Sequence, residues 1–220
     1  NINNINVSLD TLSKSKFKSI TRRNQFKKVY QNTLMLVERG FNVKINAVLI
    51  KDFNDDEIID FINLTKNLPI SFRFIEFMPF NGNKWDLKKM VPLAEILKKV
   101  TSHFSNENVE KIKDAENDTS KNYKIKGFKG SFAIISSVTN PFCDTCNRLR
   151  LTADGKLKNC LFSASEADLL SSLREGKFIA PIIQRAIQHK FKIRGGMDTI
   201  EKLQKPDLHS QNRSMISIGG

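Results

Sequence analysis

Three cysteines, Cys143, Cys146 and Cys160, are the residues of this sequence with the clearest capacity for chemistry. Cys143 and Cys146 stand three positions apart in Pro141-Phe142-Cys143-Asp144-Thr145-Cys146-Asn147-Arg148-Leu149-Arg150, and Cys160 follows after thirteen intervening residues. A tight turn can aim two thiolates at one metal centre, and a hairpin turning at Asp154-Gly155 would bring the third back. An odd number of closely spaced cysteines argues against a secreted disulfide framework and for metal ligation in a reducing compartment. Structural zinc usually takes four ligands, so it would need His103, His189 or His209, none of them near the cysteines in sequence. A 4Fe-4S cluster on three thiolates needs no fourth protein ligand and leaves one iron open, which points to a substrate. Zinc stays open as the alternative on spacing alone.

A fold has to hold that loop, and hydrophobic periodicity indicates which. Ile5, Val7 and Leu9 alternate with Asn4, Asn6, Ser8 and Asp10, and Val43, Ile45, Ala47 and Leu49 alternate with Lys44 and Asn46, so both segments read as strands. Between them Phe26, Val29, Tyr30, Thr33 and Val37 recur at helical spacing, and Gly40 is placed to end the helix. A second helix is expected after Asn54 as N-cap, with Glu57 three residues on. A strand over 70–77 and a helix opened by Pro92 follow. Such alternation implies parallel strands with right-handed crossovers, in a doubly wound sheet or a barrel. Asn4, Asn6, Ser8, Lys44, Asn46 and Arg73 would share a face too polar for a second helix layer, which favours a barrel lumen holding a polar ligand.

The polar stretch 105–122 reads as a linker or surface excursion, and 123–126 with 131–138 as a hairpin. Beyond the cysteines, Ser165 is placed to cap a helix ending at Gly176 and Pro181 to open another reaching Phe191. The expected division is a β/α part over 1–104 and a cysteine-bearing part over 105–220.

With 40% hydrophobic and 27% charged residues the chain has an ordinary globular balance, and no apolar run approaches the roughly 20 residues that cross a bilayer. No membrane partner is expected. The formal charge of +13 would attract nucleic acid, acidic membranes or a polyphosphate. Lysine, asparagine, isoleucine and phenylalanine are abundant throughout, however, and no dense basic block stands out, so no nucleic-acid partner is expected. The chain begins at Asn1 with a strand already in mid-fold, and a preceding part is expected.

The cysteines together with Asn147-Arg148-Leu149-Arg150-Leu151-Thr152-Ala153-Asp154-Gly155 resemble the second cluster motif of the GTP 3′,8-cyclases, a radical S-adenosylmethionine family of molybdenum-cofactor biosynthesis. Asn6-Val7-Ser8-Leu9-Asp10, Val43-Lys44-Ile45-Asn46-Ala47-Val48, Phe72-Arg73-Phe74-Ile75-Glu76-Phe77-Met78-Pro79 and Gly219-Gly220 resemble family motifs in the family order, so the resemblance covers nearly the whole chain. It implies an α/β fold, the second half of an incomplete TIM-like (β/α) barrel followed by a C-terminal antiparallel iron–sulfur region. It further implies that Cys143, Cys146 and Cys160 hold a second 4Fe-4S cluster and that Ser8 and Met78 contact S-adenosylmethionine. Lys44, Arg148, Leu149 and Arg150 would hold GTP. Two arginines two positions apart on an extended segment point the same way, and their forked donors suit phosphate oxygens. Arg73 would reach the active site, an ion pair with Glu76 being the alternative. Gly219 and Gly220 would form a tail entering the catalytic pocket, where the lack of side chains lets backbone approach closely.

The implied activity is radical conversion of GTP to (8S)-3′,8-cyclo-7,8-dihydroguanosine 5′-triphosphate. In the family a first 4Fe-4S cluster, held by Cys-x-x-x-Cys-x-x-Cys, cleaves S-adenosylmethionine. This sequence has no such motif, so the first cluster is expected in the preceding part and no turnover is expected of the chain by itself. Implied partners are GTP, cyclic pyranopterin monophosphate synthase downstream and a second copy in a homodimer; the implied compartment is the bacterial cytoplasm or the mitochondrion. Two rival readings stand beside this one. A different radical S-adenosylmethionine enzyme with an auxiliary cluster would usually carry more downstream cysteines. A non-enzymatic zinc module binding nucleic acid would show strongly salt-dependent affinity.

Overall fold

The period-two segments are strands in the computed structural model, which describes residues 2–218. Strands β1 (Asn4–Ser8), β2 (Asn42–Leu49), β3 (Ser71–Glu76), β4 (Val109–Lys111), β5 (Lys121–Ile125) and β6 (Ser131–Ile135) form one sheet in the order β1-β2-β3-β6-β5-β4. The pairs β1–β2, β2–β3 and β3–β6 are parallel, and β5 and β4 add on in antiparallel fashion. The chain is thus a mixed α/β protein with a mostly parallel sheet. Helices α1 (Lys14–Thr21), α2 (Phe26–Glu38), α3 (Ile58–Asn67) and α4 (Leu93–Phe104) fill the crossovers.

Strand alternation decides which face they cover. Val43, Ile45, Ala47, Leu49, Phe72, Phe74, Phe132 and Ile134 are buried together with Phe61 and Ile62 of α3 and Ile96 and Val100 of α4. Phe61 stacks on Phe72 at a centroid distance of 4.3 Å. Each valine, leucine, isoleucine or phenylalanine among them contributes about 1.5–3 kcal/mol by leaving water. Gly130 opens β6 where nothing larger fits: a Cβ there would lie 2.3 Å from the Ile70 carbonyl oxygen and 2.7 Å from that of Leu68.

Several expectations are corrected. Asn54 caps no helix with its side chain; its Oδ1 accepts from Ile50 N at 2.8 Å and its Nδ2 donates to the Asp10 and Val48 carbonyls. Glu57 does not reach back in a capping box either, because its carboxylate accepts from Thr11 Oγ1 and Leu12 N and pairs with Lys16. The stretch 105–122 is not all linker, since β4 lies inside it. Helix α1, capped by Ser13, was not anticipated; of its eight residues only Phe17 is buried, so it has little periodic signal.

Contacts divide the chain into two units, Asn1–Phe77 with Lys88–Asn140, and Met78–Leu87 with Pro141–Gly220. A boundary at 104/105 falls inside the first. In the second, β7 (Arg150–Leu151), β8 (Lys156–Lys158) and β9 (Ala167–Asp168) make a small antiparallel sheet. Helices α5 (Leu169–Arg174), α6 (Ala180–Gln188), α7 (Ile200–Leu203), α8 (Pro206–Ser210) and α9 (Met215–Ile218) complete it. Asp168, not Ser165, caps α5, accepting from Ser171 N at 2.9 Å. Pro181 does open α6, which stops at Gln188. No helix among the described residues is long and apolar enough to cross a membrane.

Asp10, just past β1, offers a pH test of the first unit. Burial pushes its carboxyl up, and the hydrogen bond it accepts from Val48 N only partly opposes this. The folded chain therefore holds that proton more tightly than the unfolded chain, so the stabilisation is present at low pH and is lost as pH rises through the raised value. Asp10→Asn keeps the acceptor and cannot ionise. Its melting temperature relative to the native chain should rise as pH increases above the ordinary carboxylate range; a pH-independent difference would refute the assignment.

Candidate functional site

The face of the large sheet away from α3 and α4 carries the polar residues of the alternation. Register aligns Ser8, Asn46, Arg73, Ala133 and Asn122 in one row across five strands. Arg73 reaches over β2 to donate from Nη2 to Asn6 Oδ1 at 2.6 Å. Its Nε and the Oδ1 of Asn46 are buried without a hydrogen-bond partner, two polar atoms that a ligand could satisfy. Burial pulls the Arg73 guanidinium below its usual value, partly offset by the Asp118 charge. Arg73 makes no ion pair with Glu76, which faces the opposite side and accepts from Leu93 N, Val138 N and Thr139 N. Lys44 lies on the Arg73 face, exposed. Ser8, Lys44 and Arg73 are therefore brought to one surface.

The cysteines lie in the second unit. Residues Cys143–Thr145 form a single 3-10 turn in which Cys146 N donates to the Cys143 carbonyl at 3.2 Å. The β7–β8 hairpin turns at Asp154-Gly155, with Gly155 at φ +75°, and leads to Cys160. N–H groups meet each sulfur. Arg194 N lies 3.4 Å from Cys143 Sγ and Lys190 Nζ 3.5 Å from Cys146 Sγ. Burial pushes the Cys146 thiol up, but the Arg148 backbone N–H and the Lys190 charge outweigh it and hold the thiol below its usual value. Burial likewise pushes the Cys160 thiol up, helped by the charges of Cys143 and Cys146 and opposed by the N–H groups of Phe162 and Ser163. Among the described residues no group of three or more His, Cys, Asp or Glu is arranged to hold a metal ion. His189 Nδ1 is engaged with the Arg185 carbonyl, and the His209 ring meets Trp85 edge-on.

Arg148 lies over the Phe142 ring at 5.9 Å, Leu149 is exposed and Arg150 opens β7. Met78 belongs to the same unit, its carbonyl accepting from Asn83 Nδ2 at 2.7 Å. Gly219 and Gly220 lie outside the described residues. Sequence reasoning missed Lys190 and Arg194 at the sulfurs. The legible signal was Gly195-Gly196: a Cβ on Gly195 would stand 2.7 Å from Ser163 N, a backbone approach that only glycine permits. It also missed a buried charge network. Lys158, fully buried, donates to the Ser163 carbonyl at 2.5 Å and to Asn212 Oδ1 at 2.9 Å and pairs with Glu166. Arg213 grips Glu166 through two 2.6 Å bonds and Asp154 through one of 2.7 Å.

A mostly parallel α/β sheet followed by a three-cysteine loop defines the class. The model of the Molybdenum Cofactor Synthesis C family matches residues 70–195, and the chain belongs to that family. It is 44% identical over 223 residues to the mitochondrial GTP 3′,8-cyclase of Arabidopsis thaliana, covering 100% of this chain and 55% of that protein. It is 44% identical to molybdenum cofactor biosynthesis protein 1 of Homo sapiens, covering 97% and 33%, and 44% to the GTP 3′,8-cyclase of Peptoclostridium acidaminophilum, covering 84% and 57%. The chain spans about half, or less, of the length of these curated relatives. A solved structure of TYW1 with a lysine-pyruvate adduct shows a TM-score of 0.39 at 23% identity, covering 52% of this chain and 38% of that one, too slight a likeness to carry an argument.

Proposed function

We propose that this chain carries the C-terminal part of a GTP 3′,8-cyclase of molybdenum-cofactor biosynthesis, with its polar sheet face contributing to a β/α barrel lumen. Cys143, Cys146 and Cys160 would hold a 4Fe-4S cluster. Relatives bearing that name at 44% identity support the reading. The observation that carries it is the donor set at the sulfurs: each of the three accepts N–H groups, and thiolates are strong acceptors for such donors. When bound, the cluster supplies an iron without a protein thiolate, available to a purine.

The chain's own residues then bind and orient. Arg148 and Arg150, with Leu149 between them, take the nucleotide beside the cysteine loop, while Lys44 and Arg73 offer positive charge on the sheet face. Ser8 and Met78 contact S-adenosylmethionine through a hydroxyl and a soft thioether. A first 4Fe-4S cluster, and the reductive cleavage of S-adenosylmethionine on it, belong to residues outside this chain. The product passes to cyclic pyranopterin monophosphate synthase. The parent protein is a homodimer of the bacterial cytoplasm or the mitochondrion.

Anaerobic reconstitution with iron and sulfide tests this. The native chain should take up about four irons, Cys160→Ser should take up markedly less, and the EPR spectrum of the reduced cluster should shift on adding GTP. Bound zinc with no iron uptake would overturn the reading, and a spectrum indifferent to GTP would remove the substrate role.

A further inference from the structure

One row of the polar sheet face carries a distinct charge pattern. Lys44 pairs in register with Ser71 and Ser71 with Ser131. The antiparallel register that sets Tyr123 against Phe132 brings Lys124 opposite Ser131. Tyr123 stacks on Phe132 on the core side, so Lys124 alternates to the same face as Lys44. The row therefore reads lysine, serine, serine, lysine across β2, β3, β6 and β5. A cavity of about 430 Å³ opens over it, lined by all four together with Lys129, Asn4 and Asn42 and by no carboxylate. Its floor is tight because Gly130 lets β6 close on Leu68 and Ile70.

The lysines here are uncommitted. Elsewhere Lys16, Lys51, Lys99, Lys111 and Lys121 each pair with a carboxylate. Lys44, Lys124 and Lys129 pair with none among the described residues, although Glu110 stands opposite Lys124 on β4. Asp114 and Asp118, which lie between β4 and β5, are engaged with Lys111, Asn122 and Ser120. Three free ammonium groups around one cavity repel one another and gain from an anion between them.

Spacing selects the anion. Neighbouring strands lie about 4.8 Å apart, so Lys44 and Lys124 start about 14 Å apart at the backbone. A single phosphate can draw in two of the lysines, whereas an extended chain of phosphates meets all three ammonium groups along the row, with the Ser71 and Ser131 hydroxyls beneath it. We propose that this row binds the polyphosphate of a nucleoside triphosphate and that Lys124 and Lys129 act in it beside Lys44. This rests on the reading of Lys44 as a GTP-binding residue and adds two residues to it.

Inorganic triphosphate tests the row without guanine or cluster, so its outcome is separate from that of the GTP-dependent EPR shift. Titration calorimetry on the native chain should show triphosphate binding more tightly than inorganic phosphate. Lys124→Met, which keeps the apolar stem, and Lys129→Met should each weaken triphosphate by roughly tenfold, the worth of one charge-assisted contact. Lys98→Met, on the exposed side of α4, should leave it unchanged. The proposal fails if a folded chain binds no triphosphate or prefers phosphate. It also fails if Lys124→Met and Lys129→Met bind as the native chain does, or if Lys98→Met loses as much as they do, since affinity would then follow overall charge.

Discussion

Glu76→Ala should lower the unfolding free energy by about 3–5 kcal/mol, read from urea denaturation. Glu76 ends β3 on the core side and is fully buried. One oxygen accepts from Leu93 N at 3.1 Å and from the Thr139 hydroxyl; the other accepts from Val138 N at 2.8 Å and Thr139 N at 2.9 Å. Pro92, the N-cap of α4, has no side-chain acceptor, so the carboxylate stands in for one where the helix leaves its first N–H groups unpaired. Alanine removes all four acceptor contacts, and each buried donor left unsatisfied costs about 1–3 kcal/mol before relaxation. Glu76→Gln keeps one oxygen but turns an NH2 group towards N–H donors, so its cost should fall between alanine and native. If both variants stayed within about 1 kcal/mol of native, water would be replacing the carboxylate and its structural role would be refuted.

Glu76 also shows where sequence reasoning stops. Its motif was visible, but the residues that need it, Leu93, Val138 and Thr139, lie 17, 62 and 63 positions away. Asn54 and Glu57 mark the same limit from the other side. Their spacing matches a local capping box, yet distant partners took both side chains, Asp10 and Val48 for Asn54 and Thr11, Leu12 and Lys16 for Glu57. What was legible depended on period and spacing. Alternation alone put Ser8, Asn46 and Arg73 on one face, because a side-chain period of two leaves a strand no other choice once its apolar face is buried. The hairpin and the 3-10 turn that carry the cysteines followed from Asp154-Gly155 and from the three-residue step between Cys143 and Cys146. Strand β4 was hidden because Val109 is the one apolar residue in Val109-Glu110-Lys111.

Lys158 was the least legible residue of all, and its replacement should be among the most damaging. In Lys156-Leu157-Lys158 it reads as one of two solvated charges flanking a core leucine, yet its side chain is fully buried. The reason lies in acceptors far along the chain, the Ser163 carbonyl, Glu166 and Asn212. A buried charge of this kind is tolerable only while every proton on it is met, and breaking such a set by removing one member costs about 3–5 kcal/mol. Lys158→Ala should therefore destabilise the second unit by about that amount, because it leaves the Asn212 and Ser163 acceptors dry and opens a cavity besides. Lys158→Met separates the two causes: methionine refills the volume but supplies no proton, so a loss persisting in that variant belongs to the network and a recovery belongs to packing. The network also has a geometric consequence that stability alone does not report. Asn212 and Arg213 precede α9, and through Lys158, Glu166 and Asp154 they are tied to the hairpin that leads into Cys160. Loss of Lys158 should accordingly speed amide exchange over 212–218 before it speeds exchange in the first unit's sheet. If the two were to loosen together, the network would be only one contributor to a single cooperative core.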